Sequence, residues 1–288
     1  MKVHGKSQLS LPDLLILIGV IGLLMVILLP MLVRLRHQHF RITCANNLSQ
    51  IGKAMDFYSN DYYNELPRAG GPNATWGHTP NWQADTLADA YGLETDKTAA
   101  QASISASLYL LVKYEQITPK SFICKGDSGA TEFKPADYNA GQRDLIDLWD
   151  FGPEPWNHCS YSYHMPFGLY ALTISSEPSM AVVSDLNPWI KTCRKDARMN
   201  DDWSAFSPAG DREHIKRGNT LSHQDEGQNV LFVDSKVGFE KTPACAVNND
   251  NIYTSQNGSD IRKGTLTTQP SSRTDSLLVH DSLTRASK

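Results

Sequence analysis

The sequence has no CxxC pair, no long basic block, no internal repeat and no EF-hand spacing. Each absence narrows the field. Cys44, Cys124, Cys159, Cys193 and Cys245 are scattered, which argues against a structural zinc site. Two disulfides and one free thiol would suit an exported domain, although spacing leaves their connectivity open. A net charge of -4 without a basic cluster argues against a nucleic-acid partner. Charge is also missing locally: none occurs from Leu14 to Val33. As a helix that run reaches about 30 Å, the thickness of a bilayer's hydrocarbon core. It exceeds the about 7–15 residues of a signal-peptide core, and no A-x-A site follows it. A single membrane pass is therefore expected. Basic residues flank both ends, so loop charge does not set the orientation.

What is present continues that helix. Ile42, Ala45, Leu48, Ile51, Met55, Tyr58 and Tyr62 recur every three or four residues, one stripe of an amphipathic helix. Arg41, Asn46, Asn47, Gln50, Lys53 and Asp56 form its polar face. Asn64 and Pro67 predict its end, giving a rod from about Pro12 to Tyr63 interrupted only by Pro30. A loop-rich stretch, PRAGGPNATWGHTPNWQ, comes next, and SASLYLLVKYEQI predicts one further short helix. SYSYHM, GLYALTI, SMAVVSDL and QNVLFVDSKVGFE predict strands, the last a hairpin turning at Asp234-Ser235 with Val230, Phe232 and Val237 buried.

The expected fold is α+β. A long N-terminal helix, half transmembrane and half amphipathic, packs on a small antiparallel β-sheet head. The division reads as a leader-like basic segment 1–8, a transmembrane helix 9–35, a head 36–247 and a polar, partly irregular tail 248–288.

SLPDLLILIGVIGLLMVILLP resembles the N-terminal methylation segment of type IV pilin-like proteins, most closely the pseudopilins of type II secretion. CANNLSQIGKAMDFYSND and HQDEGQNVLFVDSKVGFE are similar to the helix and C-terminal hairpin of a bacterial subgroup of that family. The resemblance implies a pilin-like fold and a structural, non-enzymatic role. It implies an inner-membrane, single-pass topology, with the head in the periplasm or on an extracellular filament. Implied partners are copies of the chain, other pseudopilins, the inner-membrane assembly machinery and membrane lipid. Processing falls between Gln8 and Leu9, where Gln8 replaces the glycine that the family's peptidase takes. Asp13 stands on the family's glutamate, which pairs with a neighbouring subunit's free amine, and Pro30 stands on its helix proline. An alternative is an unprocessed, membrane-tethered envelope binding protein with the same fold.

Other constellations compete with plainer readings. Ser10 and Asp13 have capping-box spacing, and an acid suits a helix N-terminus in any case. CKGDSGA, with Ser128, resembles a serine-protease signature, but no upstream histidine has a matching context and a polar turn is the better reading. Ser184, His223 and Asp234 can be drawn as a trio without any spacing that makes them converge. Asp211, Glu213, Asp225, Glu226 and Asp234 crowd the region around the hairpin. Some major pseudopilins hold calcium in a C-terminal loop, so calcium is the one cofactor considered; solvated loop charge is the default. His223 reads as a hydrogen-bonding strand-end residue and Cys44 as a packed free thiol.

Overall fold

The computed structural model describes residues 11–93, 100–140, 142–192, 197–198, 200–256, 264–265 and 267–282, with the backbone alone at Asn200 and Asp201. The chain divides into two units, Met1–Phe40 and Arg41–Lys288. Helix α1 spans Leu11–Asp61 and carries Pro30 in its interior without ending there. A parallel pair, β1 (Thr75–Trp76) and β2 (Gln101–Ala102), brackets the short helix α2 (Leu87–Tyr91). Helix α3 (Ile104–Glu115) follows, then strands β3 (Tyr161–His164) and β4 (Ala181–Asp185). Helices α4 (Asn200–Ala205) and α5 (Arg212–Lys216) precede β5 (Gln228–Phe232), β6 (Val237–Glu240) and β7 (Leu278–Val279).

In the first unit, α1 is apolar on all sides from Leu14 to Val33, and the window apolar enough to cross a membrane is wholly exposed. Such a surface belongs in lipid. In the second unit, α1 becomes one-sided. Cys44, Leu48, Ile51, Met55 and Tyr58 are buried at alternating steps of four and three. The buried stripe passes through Cys44 rather than Ile42, which is exposed. Burying Leu48, Ile51 and Met55 stabilises by about 1.5–3 kcal/mol each.

The opposing surface is an antiparallel sheet in the order β6-β5-β4-β3-β7. Strands β3, β4 and β5 are buried along their whole lengths, so side chains on both faces are covered. Tyr161, Tyr163, Val183 and Leu231 join the core that contains the α1 stripe. Val230, Phe232 and Leu278 meet Trp189, Ile252 and Tyr253 in a second cluster. Gly52 of α1 faces Leu231 so closely that a Cβ there would lie 2.9 Å from a Leu231 methyl. The missing side chain lets helix and strand approach.

The hairpin, the β3 and β4 strands and α3 lie where the sequence predicts them. Ser235 turns the hairpin with a φ of 63°, and its N–H reaches the Phe232 carbonyl. GLYALTI does not form a strand. β3 is already flanked by β4 and β7, leaving it no partner edge; Leu169 is 88% exposed and only Thr173 bridges, to Glu65. Beyond Asn248, where the sequence reads as an irregular tail, the chain supplies the fifth strand and buries Ile252, Tyr253 and Leu277. Polar composition hid these few apolar anchors.

Leu231→Ala is expected to lower unfolding free energy by about 2–5 kcal/mol, the range for a buried leucine truncation. Ile42→Ala, on the exposed side of α1, should stay within about 0.5 kcal/mol. Denaturant unfolding of the detergent-solubilised chain distinguishes the two, and equal effects would show that the stripe is misassigned.

Candidate functional site

Five segments converge at one end of the sheet, beneath α1. Cys44 projects from the buried stripe of α1. Cys124 follows a single 3₁₀ turn, Pro119–Phe122, which proline opens because it lacks an N–H to satisfy. His223 ends the turn Leu221–His223, capped by the Thr220 hydroxyl accepting from the Ser222 N–H, with Gln224 in the left-handed region. Asp185 is the last residue of β4, and Asn229 lies in β5 beside it. All five residues are buried.

Cys44 and Cys124 form a disulfide across 80 residues, with their Cα atoms 5.3 Å apart. The expectation of a merely packed thiol at Cys44 is thereby corrected. Among the other cysteines, Cys159 is buried, and burial pushes the free thiol of Cys245 upward in pKa; Cys193 lies outside the described residues. His223 Nε2 stands 3.1 Å from Asp185 Oδ2, 3.2 Å from Asn229 Nδ2 and 3.7 Å from Cys124 Sγ. Asn229 donates to Asp185 Oδ2 from its backbone N–H at 2.6 Å and its amide at 3.2 Å. Asp185 Oδ1 is buried without a hydrogen-bond partner. The two sulfurs, the imidazole and the carboxylate all present donor atoms within 4.8 Å of one another. Two soft donors and two harder ones make a set that a divalent transition metal uses.

A salt-bridged rim lies nearby. Arg41 donates to Glu226 at 2.7 Å and covers the Phe239 ring at 4.4 Å; Arg212 reaches Glu226 at 2.8 Å. The hydrogen bond from Arg41 holds the Glu226 carboxyl below its usual range.

Of the residues singled out by sequence, Gln8 and Leu9 lie outside the described residues, as does Ser10. Asp13 occupies the first turn of α1, and Pro30 its interior. Ser128 is exposed on a turn, while Asp127 beside it is buried. Ser184, His223 and Asp234 do not converge. Ser184 donates to the Asp185 carbonyl and the Tyr253 hydroxyl, whereas Asp234 is exposed at the hairpin turn and accepts from the Lys236 N–H. The five carboxylates considered for calcium are also dispersed. Asp211 caps α5, Glu213 faces Lys216, Asp225 pairs with Arg198, and Glu226 with two arginines. Sequence reasoning missed Cys124 and Asp185. The one available signal was an aspartate closing an otherwise apolar strand, AVVSD.

A second polar cluster is buried at the start of α3. Asp281 accepts from the Ile104 and Ser105 N–H groups from 177 and 176 residues away, adding to the Ser103 hydroxyl, which caps the helix by accepting from the Ala106 N–H. Its neighbour Asp150 accepts from Thr79 at 2.7 Å, Ser105 at 3.1 Å and the Phe151 N–H at 2.8 Å. Burial, reinforced by the Asp281 charge, pushes Asp150 up from 3.8 to about 7.

No family model, curated protein or solved structure matches the chain.

Two measurements follow from this geometry. Reducing the Cys44–Cys124 disulfide in the presence of a chelator should cost about 4.5 kcal/mol of unfolding free energy, the loop-entropy value for a cross-link of this span. An unchanged denaturant midpoint would show that the reduced chain is held as firmly by packing alone. Asp150 binds its proton more tightly folded than unfolded, so its ionisation opposes folding. Its contribution is intact below about 4 and is lost as pH rises through about 7. Asp250, which burial raises to about 8, acts in the same direction. Asp150→Asn should therefore reduce the fall in stability between pH 4 and 7 by about one proton's worth. A pH profile identical to that of the parent would disprove the assignment.

Proposed function

We propose that the chain is a pseudopilin-like structural subunit of a type II secretion or type IV pilus-like assembly. Its head stands in the periplasm or on a filament, and its apolar helix packs against copies of itself, first in the inner membrane and then in a filament core. One observation carries this reading. Helix α1 exposes every large apolar side chain from Leu14 to Val33, and a single carboxylate, Asp13, stands in its first turn. In a plain anchor that acid serves only the helix N-terminus. In an assembly a neighbouring subunit's amine would pair with it at the head of the apolar run and set the axial register. The resemblance of the segment to pilin-like N-termini supplies the amine, at Leu9 after cleavage. Assembly, not catalysis, is the work assigned to the chain.

Asp13→Asn tests the proposal. Asparagine also caps helices well, so an anchor would lose only about 0.3–1 kcal/mol of dipole interaction. The variant is expected to insert normally but to lose crosslinking between cysteines placed along the helices of adjacent subunits. Blocking cleavage after Gln8 should give the same defect. Crosslinking that survives both changes would overturn the assembly role and leave a membrane-tethered envelope protein.

A further inference from the structure

We propose that Cys44, Cys124, Asp185 and His223 form a redox-gated zinc site: a disulfide in the oxidised chain and a tetrahedral Zn²⁺ centre in the dithiol chain. Zinc takes thiolate, imidazole and carboxylate ligands at about 2.0–2.3 Å, which places tetrahedral S···N edges near about 3.6 Å and N···O edges near about 3.3 Å. Here the Cys124 Sγ to His223 Nε2 edge is 3.7 Å and the His223 Nε2 to Asp185 Oδ2 edge is 3.1 Å. Those two edges already match, and the two sulfurs, bonded to each other in the oxidised chain, separate on reduction to take the remaining corners.

Three further features point to a cation at this spot. Asp185 is fully buried, its Oδ1 has no hydrogen-bond partner, and among the described residues its ion-pair partner is a histidine rather than a lysine or arginine. A buried carboxylate needs a positive partner, and a divalent ion supplies one. The ligands also have an outer shell. Asn229 holds Asp185 Oδ2 through two donors, and the Gly126 N–H donates to Cys124 Sγ at 3.3 Å, a contact that favours the thiolate. Finally, the loop bearing Cys124 closes over His223 only because residue 126 is glycine. A Cβ there would lie 2.2 Å from the Ser222 carbonyl oxygen and 3.2 Å from the imidazole.

The disulfide and the metal exclude each other, since a bonded sulfur is not a thiolate ligand. A dithiol reductant connects the two states. Its thiolate attacks one sulfur of the bond, and its second thiol resolves the mixed disulfide. Two electrons and two protons thus pass to Cys44 and Cys124, and the reductant leaves as its own disulfide. Zinc then displaces both protons and binds two thiolates, the carboxylate and the neutral imidazole. In either state α1 remains tied to the same end of the sheet. Scattered cysteines exclude a site of closely spaced ligands; this one draws its ligands from four distant segments.

The test uses the full chain in detergent, reduced with a phosphine, which gives two electrons to the disulfide and leaves as its oxide with the oxygen of one water, then desalted without air. Intact mass under native conditions should show one zinc per reduced chain and none per oxidised chain. Cobalt in place of zinc should give the visible bands of a tetrahedral site and a thiolate-to-metal charge-transfer band. Zinc should slow alkylation of Cys44 and Cys124 relative to the zinc-free reduced chain and leave the rate at Cys245 unchanged. Asp185→Asn and His223→Ala should weaken binding by more than the about 10–100-fold cost of losing an outer-shell partner. Both variants should still form the Cys44–Cys124 disulfide on oxidation, which reports that they fold. Three results would overturn the proposal: no zinc on the reduced parent chain, equal zinc on the oxidised chain, or zinc that leaves Cys44 and Cys124 open to alkylation. The parent-chain measurements stand even if a variant misfolds, and they do not depend on the assembly role.

Discussion

One stripe of α1, Cys44, Leu48, Ile51, Met55 and Tyr58, is the surface that the rest of the second unit depends on. An isolated amphipathic helix gains little in water, and most of its stability comes from the face it buries. Here that face covers the central strands, whose own residues would otherwise leave one side of the sheet wet. Tyr161, Tyr163, Val183 and Leu231 are apolar or amphipathic because α1 lies on them. The Tyr163 hydroxyl reaches the Pro67 carbonyl at 2.9 Å, and Asn47 donates to the Ile123 carbonyl and the Tyr161 hydroxyl. Polar tips therefore finish an interface that packing begins.

The same helix meets two kinds of surroundings. From Leu14 to Val33 its side chains suit hydrocarbon; from Arg41 they sort into a buried stripe and a polar face. The change needs no break in the backbone, because helix hydrogen bonds are satisfied internally in either environment. Arg41 sits at the change, with its guanidinium on Phe239 and Glu226.

Much of this was legible in the sequence, because periodicity is a local property. The three-and-four spacing after Arg41, the unbroken apolar run before it and the hairpin around Asp234-Ser235 each lie within a short window. What could not be read is non-local. Nothing near Cys44 names Cys124, and Asp185 looks like an ordinary strand-ending aspartate until β5 brings Asn229 and His223 beside it. GLYALTI has strand composition, but both edges of β3, the strand before it, are already paired, a fact about the sheet rather than the segment. The polar tail misleads for the opposite reason: Ile252, Tyr253, Leu277 and Leu278 are few, yet all are buried.

The dependence of α3 on Asp281 bears on the order of biosynthesis. The helix emerges early, but the carboxylate that satisfies its first two N–H groups is made 177 residues later, and Val279 of β7 joins Tyr163 of β3 over a shorter but still long interval. Contacts of such separation form slowly, because the loop must close before they reward it. Until residue 281 has cleared the ribosome and any translocation channel, the buried start of α3 lacks its acceptor and the β3 edge stays open. A nascent chain paused before that point presents an unpaired strand edge to its neighbours. The sheet therefore closes from the far end of the chain.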